Sequence, residues 1–422
     1  MTSEGKEILF YNITSLLRIA SSKTRKLKDE MKDLEEIQNA YLVVKEGRIA
    51  ALGMMSQAPR LSQFPESVNC KDRLVLPGFV DSHTHLLYVG NRADEFEMRS
   101  QGKSYEEIAQ AGGGIKKSVG QTKNCSEDQL VWETFPRLQE MLSHGTTTVE
   151  IKSGYGLSLD SELKMLRAIR RLKERSPLEI HATFLGAHDI PRGISRKAYI
   201  DEVTQKMIPQ VAKERLAEFC DIFCDRGYFS PEETRTIALA AREKGLTIKI
   251  HANELGNTGG AEIACEVGAV SADHLLFLEN PQMDALKRSQ VVCTLLPGTS
   301  FFLRMPYASV RRLIDEGITV ALATDSNPGS CTATSMPLIQ NIAITQMGMH
   351  PSESLVASTL HGAAALGIED RVGSITVGKD ADLVVTVPMQ EYREIAYRLG
   401  QNPCWRVYKH GKLVFENPAG LR

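Results

Sequence analysis

Apolar residues gather along the chain in short runs, separated by longer segments of mixed polarity. Eight runs stand out: LVLPGFVDSHTH (74–85), TTTVEIKSGYG (146–156), LEIHATFLGAH (178–188), CDIFCDRG (220–227), LTIKIHANE (246–254), AVSADHL (269–275), VVCTLLPG (291–298) and TVALATDSNPG (319–329). Each is nearly continuous in apolar residues, the pattern of a strand covered on both faces. The segments between them carry helix signals. In SPEETRTIALAAREKG (230–245), Ser230 is placed to cap and Pro231 takes the first helical position. Glu233 stands at capping-box spacing and Gly245 ends the run. In 126–145, Ser126 and Gln129 repeat that spacing, Gly145 closes the segment, and Pro136 inside it predicts a kink. Eight strands alternating with helices predict a (β/α)8 barrel.

The two ends read differently. AYLVVKEGRIAALG (40–53) reads as strand, Glu46-Gly47 turn, strand, and RVYKHGKLVFEN (406–417) repeats the scheme around His410-Gly411. VGSITVGKDADLVVT (372–386) reads as a further pair of strands. The fold expected is therefore α/β: a TIM barrel over residues 77–368, inserted into a small β-sandwich domain assembled from residues 1–76 and 369–422.

Composition narrows the class. With 42% hydrophobic residues the chain can fill a full core, and no apolar run approaches the ~20 residues that span a bilayer. The N-terminus carries Glu4 and Glu7 and lacks a basic region before a clean apolar stretch, so no signal peptide is read. Lys and Arg number 50 against 52 Asp and Glu, a net charge of −2, and aromatics are 6%. That balance does not suggest a nucleic-acid surface. The one charge-dense stretch, SSKTRKLKDEMKDLEE (21–36), interleaves both signs and reads as a solvated loop. Eight scattered cysteines form no disulfide framework. Cys220 and Cys224 sit in an apolar run as small core residues, and a reducing, cytoplasmic compartment is expected.

Histidine placement brings in chemistry. Five of the ten histidines fall at C-terminal ends of the runs: His83, His85, His188, His251 and His274. Asp325 ends the eighth run. Barrel active sites sit at that end of the strands. His83 and His85 are two apart, so in a strand they share a face. Alone, such a pair is more often two core or surface histidines than a metal site. With His251 from the fifth run and Asp325 it becomes three imidazoles and a carboxylate, a set that suits a divalent metal with an open position. His188 and His274 are left to face a substrate. A metal so held lowers the pKa of bound water towards ~7 and polarises a carbonyl. Glu254 could relay a proton to a leaving nitrogen, and His274 and Asp325 could take the first proton from water. By composition alone Glu254 is an exposed loop acid.

Arg92 is either a surface arginine or a fixed cation for a substrate carboxylate. Tyr155 presents a similar choice, and its neighbours Gly154 and Gly156 would let backbone approach a ligand. AGGGIKKS (111–118) invites a phosphate-loop reading, but no glycine directly precedes the lysine and no strand leads in. A mobile loop or lid is expected there.

These residues carry a resemblance. PGFVDSHTH, the histidines of the fifth and sixth runs, ATDSNPG and GSITVGKDADLVV resemble the metal-dependent amidohydrolase superfamily over nearly the whole chain. GNRADEF, QAGGGI, KSGYGL with ELKMLR, FLGAH, SADHL, LLPGTSFFL and ATDSNPGS together resemble its imidazolonepropionase branch, from about residue 74 onward. The resemblance implies one zinc or iron ion per subunit, held by His83, His85, His251 and Asp325. It implies hydrolysis of the cyclic amide of 4-imidazolone-5-propanoate, a small anionic substrate, to N-formimino-L-glutamate. Arg92, Tyr155, His188 and Glu254 would hold substrate. Glu254, His274 and Asp325 would serve the reaction centre, and Asn327, Gly329 and Ser330 would line the product side. A homodimer is implied, with no nucleic-acid or membrane partner. Two positions depart from the family pattern: Asn253, usually aspartate, and Ser326, usually aromatic. The strand expected in the fourth run ends at Cys224 with no lysine to bridge a second metal, which favours a single ion.

The competing expectations are an aminohydrolase that deaminates a purine, pyrimidine or related ring with the same metal, and a non-catalytic scaffold. Arg92 and the KSGYG loop disfavour the first, and the complete candidate ligand set disfavours the second.

Overall fold

The chain first builds five strands: β1 (Glu7–Leu17), β2 (Glu36–Lys45), β3 (Arg48–Met54), β4 (Glu66–Asn69) and β5 (Leu74–Pro77). The computed structural model describes residues 7–21, 24–103, 107–108 and 112–418. Eight short strands follow: β6 (Phe79–Asp81), β7 (Thr146–Lys152), β8 (Glu179–Ala187), β9 (Phe219–Cys224), β10 (Thr247–Ala252), β11 (Ser271–His274), β12 (Val292–Leu295) and β13 (Val320–Leu322). Every expected run overlaps one of them. Each pairs in parallel with its neighbour in sequence, from β6 through β13. A parallel bridge between Thr84 and Ser326 joins the first strand's extension to the last, and the ring closes. The fold is a (β/α)8 barrel with a β-rich unit built from both ends of the chain.

The connecting helices start where their caps predict. In the helix Pro231–Glu243, the Ser230 hydroxyl accepts from Glu233 N at 3.3 Å and the Glu233 carboxylate accepts from Ser230 N at 2.9 Å. The helix Glu127–Ser143 is capped by Ser126 through Gln129 N at 3.1 Å and contains Pro136. Their apolar faces, with Leu130, Leu138, Ile237 and Ala241, are buried in the barrel's outer core.

The terminal strands are β1–β5 together with β14 (Leu383–Thr386), β15 (Cys404–Lys409) and β16 (Lys412–Glu416). They share one mixed sheet in the order β16-β15-β14-β5-β1-β2-β3, with β4 paired to β1. Phe10 of β1 packs edge-to-face on Tyr408 of β15 at 4.9 Å between ring centres, so the two ends share one core.

Three expectations change. The run 74–85, read as one strand, is divided at Gly78 between the two sheets. Gly78 N donates to Asp382 O of the terminal unit and Phe79 N to Gly145 O of the barrel, both at 2.9 Å. Of the strand pair expected in 372–386, only β14 forms. Residues before it dock as a loop, with Ile375 N donating to Arg18 O at 2.7 Å and Gly378 N to Ile49 O at 2.8 Å. Residues 21–36 are not simply solvated: Lys28–Lys32 form a 3-10 turn, and Met31 and Leu34 are buried. Residues 22 and 23 lie outside the described residues. In 111–118, Ala111 also lies outside them, while Gly114 opens a helix, Ile115–Asn124.

Candidate active site

The barrel mouth holds the residues that end the strands. Beyond β6 the chain stays extended, because Asp325 N donates to His83 O and His85 N to Ser326 O, each at 3.0 Å. This lays His83 and His85 beside the segment that carries Asp325. His251 lies near the end of β10 and His274 ends β11. All five side chains are almost fully buried.

Two of the inner imidazoles, His83 and His251, have a carboxylate behind them. His83 Nδ1–H donates to Asp273 Oδ2 at 2.6 Å, which turns Nε2 inward. His251 Nδ1 lies 3.0 Å from Asp221 Oδ2, which frees its Nε2 in the same way. His251 Nε2 then faces His85 Nε2 at 3.2 Å. Asp325 Oδ1 lies 3.6 Å from His83 Nε2 and 3.7 Å from His85 Nε2. The ligating atoms of His83, His85 and His251 all fall within 4.8 Å of one another.

This arrangement fits one metal ion. Nitrogen lone pairs that face each other in a buried site repel unless a cation lies between them. His83 Nε2 is buried without a hydrogen-bond partner among the described residues. Burial drives the pKa of His83, His85 and His274 well below the usual histidine value, so these rings are neutral donors. For His251, burial pulls downward but the Asp221 carboxylate outweighs it. Burial raises Asp325 to about 6, and Thr299 Oγ1 donates to its second oxygen.

Beneath this cluster the barrel interior is polar. Lys152 Nζ lies 2.7 Å from Glu150 Oε1 and 2.8 Å from Asp221 Oδ2. Glu150 also accepts from Thr84 N at 3.1 Å and from the Thr183 hydroxyl. Lys249 Nζ donates to Ser82 O at 3.1 Å. Against burial, the carboxylates of Asp221, Glu150 and Asp273 hold Lys152 above the usual lysine range. Sequence reading missed Asp221, Asp273, Glu150, Lys152 and Lys249. The signal was there: Glu150 and Lys152, and likewise Lys249 and His251, are two apart in their strands and therefore share the inward face.

Above the cluster opens a cavity of about 650 Å³. Of the residues expected to meet substrate, Arg92, Tyr155, His188, Glu254 and His274 line it, as do Asn327, Gly329 and Ser330. Arg92 precedes the helix Ala93–Ser100 and grips Glu95 through Nε and Nη2 at 2.9 and 2.7 Å. Tyr155 is buried, which pushes its hydroxyl pKa upward. The Tyr155 loop hangs on buried Glu162, another residue missed, which accepts from Gly154 N, Gly156 N and Leu157 N at 3.0, 2.8 and 2.8 Å. His188 Nδ1–H donates to Gly154 O at 3.0 Å, and its ring stacks on His85 at 5.0 Å. Burial lowers His188 to about 3. Burial, with Asp325 nearby, raises Glu254 to about 8; its Oε2 stands 3.6 Å from His274 Nε2. Asn327 Oδ1 accepts from Gly329 N and Ser330 N at 2.8 and 2.7 Å, which fixes that turn.

The two departures fall outside the cluster. Asn253 uses its amide on Phe277 O at 2.8 Å and accepts from Ala261 N at 3.1 Å, so it braces the loop after β10. Ser326 pairs with the His85 strand through its backbone.

A family model described as the amidohydrolase family matches residues 74–414. The chain belongs to the amidohydrolase family. As a member it is a hydrolase that acts on carbon–nitrogen bonds. An imidazolonepropionase of Porphyromonas gingivalis is 42% identical over 420 residues, 99% of each chain. One from Geobacillus kaustophilus is 44% identical over 408 residues, 94% of this chain and 96% of the relative. Among solved structures, a triazine hydrolase variant aligns with a TM-score of 0.78 at 16% identity, covering 98% of this chain and 95% of its own. An adenosine deaminase from Xanthomonas campestris with bound zinc aligns at 0.69 and 18% identity, covering 96% and 92%. These two likenesses show the fold. Among the described residues no helix is long and apolar enough to cross a membrane.

Proposed function

We propose that the chain hydrolyses the ring amide of 4-imidazolone-5-propanoate to N-formimino-L-glutamate, a step of histidine degradation. The observation that carries this reading is the convergence of His83, His85, His251 and Asp325 beneath a cavity that Arg92 also lines. Relatives named imidazolonepropionase, 42–44% identical over nearly the whole chain, support the same reading.

His83, His85, His251 and Asp325 would hold one zinc or iron ion, which supplies Lewis acidity and a lowered pKa for water at neutral pH. Arg92 binds the propanoate carboxylate, a match for a planar cation. Tyr155 and the neutral His188 orient the ring. Water adds to the ring carbonyl carbon, the ring carbon–nitrogen bond breaks, and the released nitrogen takes up a proton. Glu254 moves that proton at its carboxylate. His274 and Asp325 receive the first proton from water. Asn327, Gly329 and Ser330 line the product side. The free thiols of all eight cysteines suit a reducing cytoplasm, and the working unit is a homodimer.

The test is incubation with 4-imidazolone-5-propanoate, using enzyme loaded with zinc and, separately, with ferrous iron. Loss of the ring's ultraviolet absorption and appearance of N-formimino-L-glutamate are expected. No decay with either metal would overturn the reading in favour of a heterocycle deaminase.

A further inference from the structure

Glu95 stands beside the cavity mouth and is only 1% exposed. Its two oxygens accept the bidentate fork of Arg92. Oε1 also accepts from Gly114 N at 3.0 Å, where the helix Ile115–Asn124 begins. Arg99 Nη2 stands 3.6 Å from Oε2, while Arg99 Nη1 donates to Gly329 O at 2.8 Å. One buried carboxylate thus ties together the helix that follows β6, the start of a second helix and the turn after β13.

The arrangement sets both charge and direction. Two guanidiniums against one carboxylate leave a net positive charge at the mouth. The side chain of Arg92 is 9% exposed, a degree of burial that a guanidinium tolerates when it has a hydrogen-bonded counter-charge. Glu95 engages the Nε–Nη2 edge, while Nη1 packs on Gly329 so closely that a Cβ there would lie 2.0 Å away. Nη1 is the nitrogen that Glu95 does not hold. A cation fixed before a ligand arrives loses less freedom on binding.

We propose that Glu95 is a positioning residue: it pre-orders Arg92 so that one edge of the guanidinium is presented to the substrate carboxylate. The inference rests on the reading of Arg92 given above and names the group that makes Arg92 competent. It predicts that Glu95 governs affinity for the carboxylate arm and leaves the reacting ring alone.

The experiment compares wild type with Glu95→Gln and Glu95→Asp in the metal-loaded enzyme. Glu95→Gln keeps the volume and removes the charge. It is expected to raise KM for 4-imidazolone-5-propanoate at least tenfold, with kcat within about threefold. Competitive inhibition by imidazole-4-propanoate should weaken by a similar factor, while inhibition by 4-methylimidazole, which lacks the arm, should change less than twofold. Glu95→Asp keeps the charge but withdraws it by one carbon, so its KM should lie between those of wild type and Glu95→Gln. An unchanged KM in Glu95→Gln overturns the proposal, as does equal weakening of both inhibitors, the mark of a merely structural role. If Glu95→Gln does not fold, Glu95→Asp decides alone: wild-type values with substrate and both inhibitors overturn the proposal. Arg92→Ala separates the parent reading, since a normal KM in that variant removes Arg92 itself from substrate binding.

Discussion

His83 donates from Nδ1 to Asp273, and that bond decides which nitrogen faces His85, His251 and Asp325. Partners behind a metal-binding histidine commonly contribute 10–100-fold to metal affinity. Asp273→Asn is therefore expected to weaken zinc binding by about that factor, measured by competition with a chromogenic chelator. Unchanged affinity would show that His83 keeps its orientation without the charge. His83→Ala should lose metal and turnover together, read as metal per chain and initial rate; a variant that retains stoichiometric metal would exclude His83 as a ligand. Gly329→Ala places a Cβ on Arg92 Nη1 and should raise KM at least tenfold while kcat changes little. At this scale the four proposed ligands were legible because each ends an apolar run, where a polar residue is conspicuous. Asp221 and Asp273 were not, because each lies within an apolar run and meets its histidine only on another strand, while Lys152 and Lys249 left no more than a two-residue spacing from Glu150 and His251. Glu95 and Glu162 were illegible for a related reason: their partners are backbone amides and a guanidinium that only the folded loops bring near.

Gly78 divides one apolar run between two sheets. A Cβ at this position would lie 2.2 Å from Thr147 Oγ1 and 2.8 Å from its Cβ, so the first barrel strand passes against β7 with no room for a side chain. Gly78→Ala is expected to destabilise the chain by about 1–3 kcal/mol, as overpacked cores do, seen as a lower urea midpoint. A midpoint equal to wild type would mean that β7 shifts freely. The alternation of eight runs with capped helices made the barrel readable, since every run overlaps a strand. Division of the first run was not readable, because both halves are equally apolar and only pairing with different partners separates them. Residues 372–382 show the converse. Their apolar spacing resembles a strand, but Gly373 and Gly378 take positive φ and the segment bonds only at scattered points, among them Arg18 O beyond β1 and Ile49 O of β3.

Across the whole molecule, the barrel is fastened to the terminal unit by an ion cluster around Glu179 at the start of β8. Lys409 Nζ lies 3.0 Å from Glu179 and 2.6 Å from Asp382, and Arg371 bridges Glu179 and Asp380. Burial works against the Glu179 charge, but His181, Lys409 and Arg371 outweigh it and hold its carboxyl well below the usual range. A carboxyl held low when folded adds stability above its unfolded pKa of about 4.3 and loses it as pH falls towards the folded value. Glu179→Gln should therefore melt at a lower temperature than wild type at pH 7, and the gap should narrow steadily below about pH 4. A gap independent of pH would show that packing, not charge, joins the two units. Hairpin patterns at both ends pointed to their union, but the strand order that threads β5 between β14 and β1 depends on contacts hundreds of residues apart. The closing bridge from Thr84 to Ser326 extends that separation to the site itself. During synthesis His83 and His85 leave the ribosome long before Asp325, so a nascent chain carries an open-sided ring that lacks the proposed carboxylate ligand. With Asp325 as the proposed fourth ligand, metal capture at full strength would wait until translation has passed the eighth strand, so loading would come late in synthesis.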